Sequence, residues 1–314
     1  MRDFLLSIGA AQWVLPAMLC WPMLAALLVR FGGRDMSRHD DGTAAPSGGP
    51  DARTLTLAAL SVEAVLSLVV WVVFDPAATG WQARVDLPWL TDIGATISLG
   101  VDGLSLPMVV MTALVLPLAL LGSWNNVRVR TPAFGALALV LTAGLIGVFV
   151  TLDLLAFYLA WELMLIPTYF LIGVWGAAGQ SRASLRYVLF TLVGSLLMLV
   201  AILSLWTLGG SSSFHLDQLM GLALTRRAQL WMFGAFFLAF ADRAVSGAAA
   251  TTRAASAVFR SVRLSEFGRL KSGRESTAAE PVGLLETVRR RRRRRWSAGG
   301  RRGRSHRWSC RWSH

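Results

Sequence analysis

One carboxylate stands in the middle of the run FYLAWELMLIPTYFLIGVWG. It is Glu162, and from Leu154 to Gly176 no other residue carries a formal charge. A charged side chain at the centre of a bilayer costs roughly 2.5–3.5 kcal/mol on insertion scales. Apolar surroundings disfavour the ionised carboxyl, so a group in this setting is suited to loading and releasing a proton. The competing reading is a protonated structural glutamate bonded to a backbone carbonyl. Pro167 lies five residues further along. It removes one backbone hydrogen bond and is expected to kink the helix beside the carboxyl, where water could enter. Glu63, within LAALSVEAVLSLVVW, is a second carboxylate in an apolar run, with Ser61 and Ser67 near it. It is read either as a group on a proton path or as a neutral acid facing the bundle interior. Asp153 sits at the mouth of the run that holds Glu162. Nine helical residues separate the two, about 13 Å at 1.5 Å per residue. Asp153 is therefore either a proton uptake point feeding Glu162 or a carboxylate on the positive end of a helix dipole, and the second reading is preferred. Asp102 before Gly103 reads as a turn and cap, and His215 with Asp217 in GGSSSFHLDQ reads as a surface loop.

Other chemistries have no residues to carry them. The four histidines (His39, His215, His306, His314) are scattered, and Cys20 and Cys310 offer neither a disulfide framework nor a metal spacing. No glycine-rich phosphate loop, nucleophile elbow or cysteine cluster is present. Neither a metal nor a cofactor is expected in this chain.

The elements that must hold these groups are membrane helices. Hydrophobic residues make up 54% of the 314, charged residues only 16%, and the mean hydropathy is +0.53; soluble domains carry about a quarter charged residues. A helix needs roughly 20 apolar residues to cross the hydrocarbon. Six runs qualify: Phe4–Val29, Leu55–Phe74, Leu104–Ser123, Pro132–Val150, Leu154–Gly176 and Leu185–Leu208. A seventh runs only from Gln229 to Ala241. The fold class is therefore all-α, a polytopic membrane helix bundle of about six full spans plus a shortened seventh. Glycines 144, 147 and 194 are expected to let helices approach closely, and Trp13, Trp71, Trp89, Trp161, Trp175 and Trp206 to form interfacial belts. The stretch Leu87–Asp102 is expected to form a surface hairpin, and residues 35–51 a mobile linker. Loops after the first, third and fifth spans hold eight arginines against four on the other side. The positive-inside rule then places the N-terminus outside.

Composition changes at Ala241. Residues 1–240 hold 12 Arg and 13 acidic residues, whereas residues 241–314 hold 18 Arg and one Lys against five acidic residues. Seven consecutive arginines run from Arg289 to Arg295. The domain reading is thus a membrane region, 1–241, and an arginine-rich disordered tail, 242–314. The tail reads as an out-of-frame translation of a GC-rich gene. The alternative is a basic arm that contacts anionic lipid; nucleic acid is not an expected partner.

Three blocks carry a family resemblance: FYLAWELMLIPTYFLIGVWG, LGVDGLSLPMVVMTALVLPLALLGSW and WMFGAFFLAFA. From about Met1 to Ala241 the chain resembles the chain M family of NADH-quinone oxidoreductase, the antiporter-like proton-pumping subunits of respiratory complex I. The resemblance implies about fourteen helices in two inverted repeats with broken helices at the midplane, and a multi-pass protein of the bacterial inner membrane. It implies other complex I membrane subunits and lipid as partners. NADH, FMN, iron–sulfur clusters and quinone would sit in those partner subunits, leaving no redox catalysis to this chain. It also implies that Glu162 is a proton-coupling carboxylate paired with a lysine of the seventh helix. The family continues after Ala-Phe-Ala with a Lys-Pro pair, whereas this chain reads DRAVSGAAATTRAASAVFRS, and residues 1–241 contain no lysine. The chain is therefore expected to be an N-terminal portion whose Glu162 lacks its cation and which does not run the switch alone. A sodium/proton antiporter subunit is the first alternative, and a non-pumping membrane anchor with a basic arm the second.

Overall fold

The computed structural model describes residues 2–7, 9–33, 50–124, 127, 129–176, 181–210 and 212–244. The basic tail beyond 244, and most of the 35–51 linker, lie outside the described residues. The described part belongs to one compact unit.

Continuous apolar runs become helices long enough to cross a membrane. They are α2 (Ala10–Gly32), α3 (Ala52–Val73), α4 (Ser105–Gly122), α5 (Thr131–Val150), the pair α6 (Leu154–Leu163) and α7 (Leu165–Trp175), and α8 (Ser181–Leu208). A short α1 (Arg2–Ser7) precedes them, α9 (Leu216–Met220) follows α8, and a further helix, α10, covers 226–244. The first expected span is thus two helices. They part at Gly9, whose φ of 67° is left-handed and interrupts the helical hydrogen bonds. The seventh run also extends past its expected end at Ala241, to residue 244. Many large apolar side chains face outward, among them Leu28, Val65, Leu118, Phe190 and Val193. That surface suits lipid, as the run lengths predict.

Between α3 and α4 the expected hairpin is present and begins earlier. Strand β1 (Gln82–Leu90) pairs antiparallel with β2 (Ala95–Val101) across a short 3-10 turn. Gly94 ends that turn at φ 71°, with the Ser212 backbone against the place a Cβ would occupy. Asp102 builds the turn that leads into α4: its Oδ1 accepts from the Leu104 and Ser105 amides at 3.1 and 2.6 Å, and Ser105 Oγ accepts from the Asp102 amide at 3.0 Å.

The core has three main apolar clusters. One joins α2, α3, α4 and α5 to β2 through Val14, Met18, Val70, Leu99, Val109 and Ile146. A second joins the opposite halves of α2–α5 through Ala26, Leu60, Leu120 and Leu139. The third packs α6 and Met164 against α8, β2 and α10 through Trp161, Met198, Phe214 and Ala239. The segments after the second, fourth and sixth spans meet at one end of the bundle. The Leu152 amide donates to Ser98 O at 2.7 Å, and the Leu216 amide donates to Leu152 O at 2.9 Å. At the other end, Arg53 donates to Val127 O and Trp175 Nε1 donates to Val129 O at 2.9 Å. An odd–even alternation of loops between two faces is what a serpentine membrane chain requires.

Candidate functional site: a carboxylate at a helix break

Glu162 lies at the end of α6, two residues before Met164, which separates α6 from α7. The break has a covalent cause one turn on. Pro167 is buried and carries no N–H, so Leu163 O lacks its normal helical donor. Thr168 holds the joint instead, its amide and its hydroxyl donating to Met164 O at 3.2 and 2.7 Å. Met164 fits because Gly144 of α5 has no side chain: a Cβ there would stand 2.6 Å from Met164 Cγ. Gly147 similarly admits Ala160. The carboxyl is therefore carried by a helix end pressed against a glycine face.

Glu162 Oε1 is buried with no protein hydrogen-bond partner among the described residues. The cation the sequence reading denied it comes from α10. Arg243 Nη1 donates to the carbonyl of Trp161, the residue before Glu162, at 3.3 Å, and its guanidinium carbon lies 4.6 Å from the Trp161 ring centroid. Glu162, Asp242 and Tyr187 all act electrostatically on Arg243. Trp161 is only 6% exposed, so it is not part of an interfacial belt; Phe240 packs edge-on against it at 4.8 Å. Asp242 approaches Gly194 of α8, where a Cβ would lie 3.4 Å from the Asp242 Cβ. Around Glu162 stand also Tyr158 and, through it, Ser195. The signal for Arg243 was weak in the sequence: Asp242-Arg243 looks like the end of an apolar run, not its continuation.

Asp153 is 1% exposed and caps α6. Its Oδ1 accepts from the Leu155 and Ala156 amides at 2.9 and 3.1 Å, and its Oδ2 accepts from the Thr96 amide at 3.1 Å. Both oxygens are thus engaged in joining β2 to the first turn of α6. Glu63 is in a different place, within the α2–α5 bundle.

His215 is not a plain surface residue. It is 8% exposed and accepts at Nε2 from Arg84 Nη2 at 3.0 Å. Arg84 also donates to Asp86 Oδ2 at 2.9 Å and to Asp217 Oδ2 at 3.3 Å, and Trp81 Nε1 donates to Asp217 Oδ1 at 3.0 Å. The cluster fastens the hairpin to α9. Partial burial raises the Asp86 carboxyl, but hydrogen bonds from Ser98 and Arg84 and the charge of Arg84 outweigh it and hold Asp86 below its ordinary value. Among the described residues no group of His, Cys, Asp and Glu is arranged to hold a metal.

The transmembrane family described as NADH:quinone oxidoreductase/Mrp antiporter matches residues 151–245, the stretch that holds Glu162, Pro167 and Arg243. NAD(P)H-quinone oxidoreductase chain 4 of a Synechococcus strain is 34% identical over 247 residues, 74% of this chain and 44% of its own length. NADH-quinone oxidoreductase subunit M of Escherichia coli is 33% identical over 204 residues, 60% of this chain and 40% of its own. The chain is a relative of these antiporter-like subunits. A solved chain of respiratory complex I from Thermus thermophilus superposes with a TM-score of 0.60 at 31% identity, covering 73% of this chain and 43% of that one. A chain of the Mrp complex from a Dietzia species superposes at 0.59 with 18% identity, over 73% of this chain and 23% of its own, and shares the fold. The chain spans less than half the length of these relatives. It is a multi-pass membrane protein of the antiporter-like fold.

Proposed function

We propose that this chain is a membrane subunit of a proton-pumping NADH:quinone oxidoreductase, and that Glu162 is its proton-coupling carboxyl. One observation supports this most: a carboxyl at a broken membrane helix, with a guanidinium from α10 bonded to the residue beside it. Arginine does not release its proton under physiological conditions. Arg243 therefore supplies a fixed positive charge, and the proton that moves is the one on Glu162. Relative motion of α6 and α10 changes the field at the carboxyl and so couples its proton to events elsewhere. Partners would be other complex I membrane subunits, which would carry the redox groups. The arginine bias between loops supports an N-terminus on the outer side.

In the assembled membrane complex that contains this chain, Glu162→Gln is expected to abolish proton uptake linked to quinone reduction. Unchanged pumping and reductase rates would sink the assignment. A second reading, a subunit of a sodium/proton antiporter, is favoured by the family description that joins the two. Sodium-driven, quinone-independent proton exchange in the same vesicles would select it.

A further inference from the structure

The α2–α5 bundle holds an acidic residue that the Glu162 site does not use. Glu63 of α3 is 0% exposed, and neither of its oxygens has a hydrogen-bond partner among the described residues. Its level in the bundle is distinctive. On α3 it follows Leu60, a member of one apolar cluster, and precedes Val70, a member of another. On α5 the same interval, between Leu139 and Ile146, holds the fully buried Thr142, and on α3 it holds the fully buried Ser67. Glu63, Ser67 and Thr142 thus lie in the interval between the two clusters, each buried on its helix. Thr142 Oγ1 donates to Ala138 O at 2.8 Å and Ser67 Oγ donates to Ala64 O at 2.7 Å. Each hydroxyl oxygen keeps lone pairs that can accept from a protonated carboxyl or from water.

Among the residues whose side chains are described, no cation is bonded to Glu63. The helices packed against α3 are α1, α2, α4 and α5. Neither α4 nor α5 contains a charged residue, α2 contributes only Arg30 and the thiol of exposed Cys20, and α1 contributes Arg2 and Asp3 at the chain start. On α3 itself Arg53 lies ten residues away, about 15 Å along a helix, and is engaged by Val127 O and the Trp124 ring. A buried carboxylate without a partner is so costly that the group takes a proton instead.

We infer that Glu63, with Ser67 and Thr142, is a second proton-binding site of this protein, a carboxylic acid inside the α2–α5 bundle that exchanges its proton with water. The step is carboxyl to carboxylate plus a hydrated proton. It is independent of the role given to Glu162.

The test is difference infrared spectroscopy on the whole chain in lipid. A neutral-carboxyl C=O band is expected at neutral pH. It should be lost in Glu63→Gln, kept in Glu162→Gln, and shifted to lower wavenumber in the unmodified chain on transfer to D2O. Absence of a Glu63-dependent band would overturn the inference, because the group would then be ionised. A Glu63-dependent band that resists D2O would also overturn it, since a sealed structural acid binds no exchanging proton. Should Glu63→Gln fail to fold, Glu63→Asp keeps a carboxyl at the position and assigns the band by moving it rather than removing it, so the D2O arm stays decisive.

Discussion

Arg243 is held at Trp161, the residue before Glu162, and that small arrangement is one of the contacts that seat α10. The guanidinium rests on the indole face and donates to the indole's own carbonyl, while Phe240 meets the ring edge-on. Trp161→Ala removes the platform of both α10 contacts at once. Large aromatic-to-alanine changes in packed sites cost about 3–5 kcal/mol, and a markedly lowered unfolding temperature in detergent should follow, with Trp161→Phe losing much less. An unchanged midpoint for Trp161→Ala would mean that α10 is held by other contacts. Glu162 itself was legible in the sequence, because one charge in a long apolar run is a departure that hydropathy cannot hide. Arg243 was not, because a charged pair after an apolar run also marks a helix end. Only the position of Trp161, 82 residues earlier in the chain, turns that pair into a continuation.

Among the elements, the segment between α5 and α6 does more than its length suggests. Leu152 is bonded on one side to β2 and on the other to the start of α9, and Asp153 caps α6 while accepting from Thr96. Asp153→Ala leaves the first amides of α6 without an acceptor and removes one of the bonds that hold β2, for a loss of about 0.5–2 kcal/mol. Amide hydrogen exchange should quicken in both 95–101 and 154–157; quickening of α6 alone would show that the Thr96 bond carries no weight. The six spans were readable from run length, and the glycines that admit Met164 and Ala160 were readable as small residues at helix contacts. The break at Met164 was not visible as such. A proline marks a missing hydrogen bond, but which turn gives way depends on packing, here the absence of a side chain at Gly144. The early start of the hairpin at Gln82 was equally hidden, since β1 is largely exposed and shows no continuous apolar signal.

For the whole molecule, the two ends of the bundle have different fastenings, and the end with the hairpin depends on charge. Asp86 is held below its ordinary value of 3.8. A depressed carboxyl contributes stability that is fully present above that ordinary value and is lost as pH falls through the lower folded value. The contribution of Asp86 to hairpin docking is therefore constant above about pH 4 and is lost below it. The groups are exposed enough to be screened, so the effect is modest and weakens with salt. An acid-active protease added to intact cells should cut within 82–101 more readily once that range is reached, and Asp86→Asn should remove the step. Cutting from the cytoplasmic face alone would overturn the orientation as well. The cluster escaped the sequence reading because Arg84, Asp86, His215 and Asp217 lie in two segments some 130 residues apart, each of which alone looks like an ordinary polar loop.

The seat of Asp153 also gives the protein a mechanical property. A helix is stiff along its axis, and its first turn is fastened here to β2, the largely buried strand of the hairpin. The place of β2 therefore bears on the first turn of α6, about 13 Å along the helix from the carboxyl. The strand that fastens Asp153 thus also sets the start of the helix that carries Glu162.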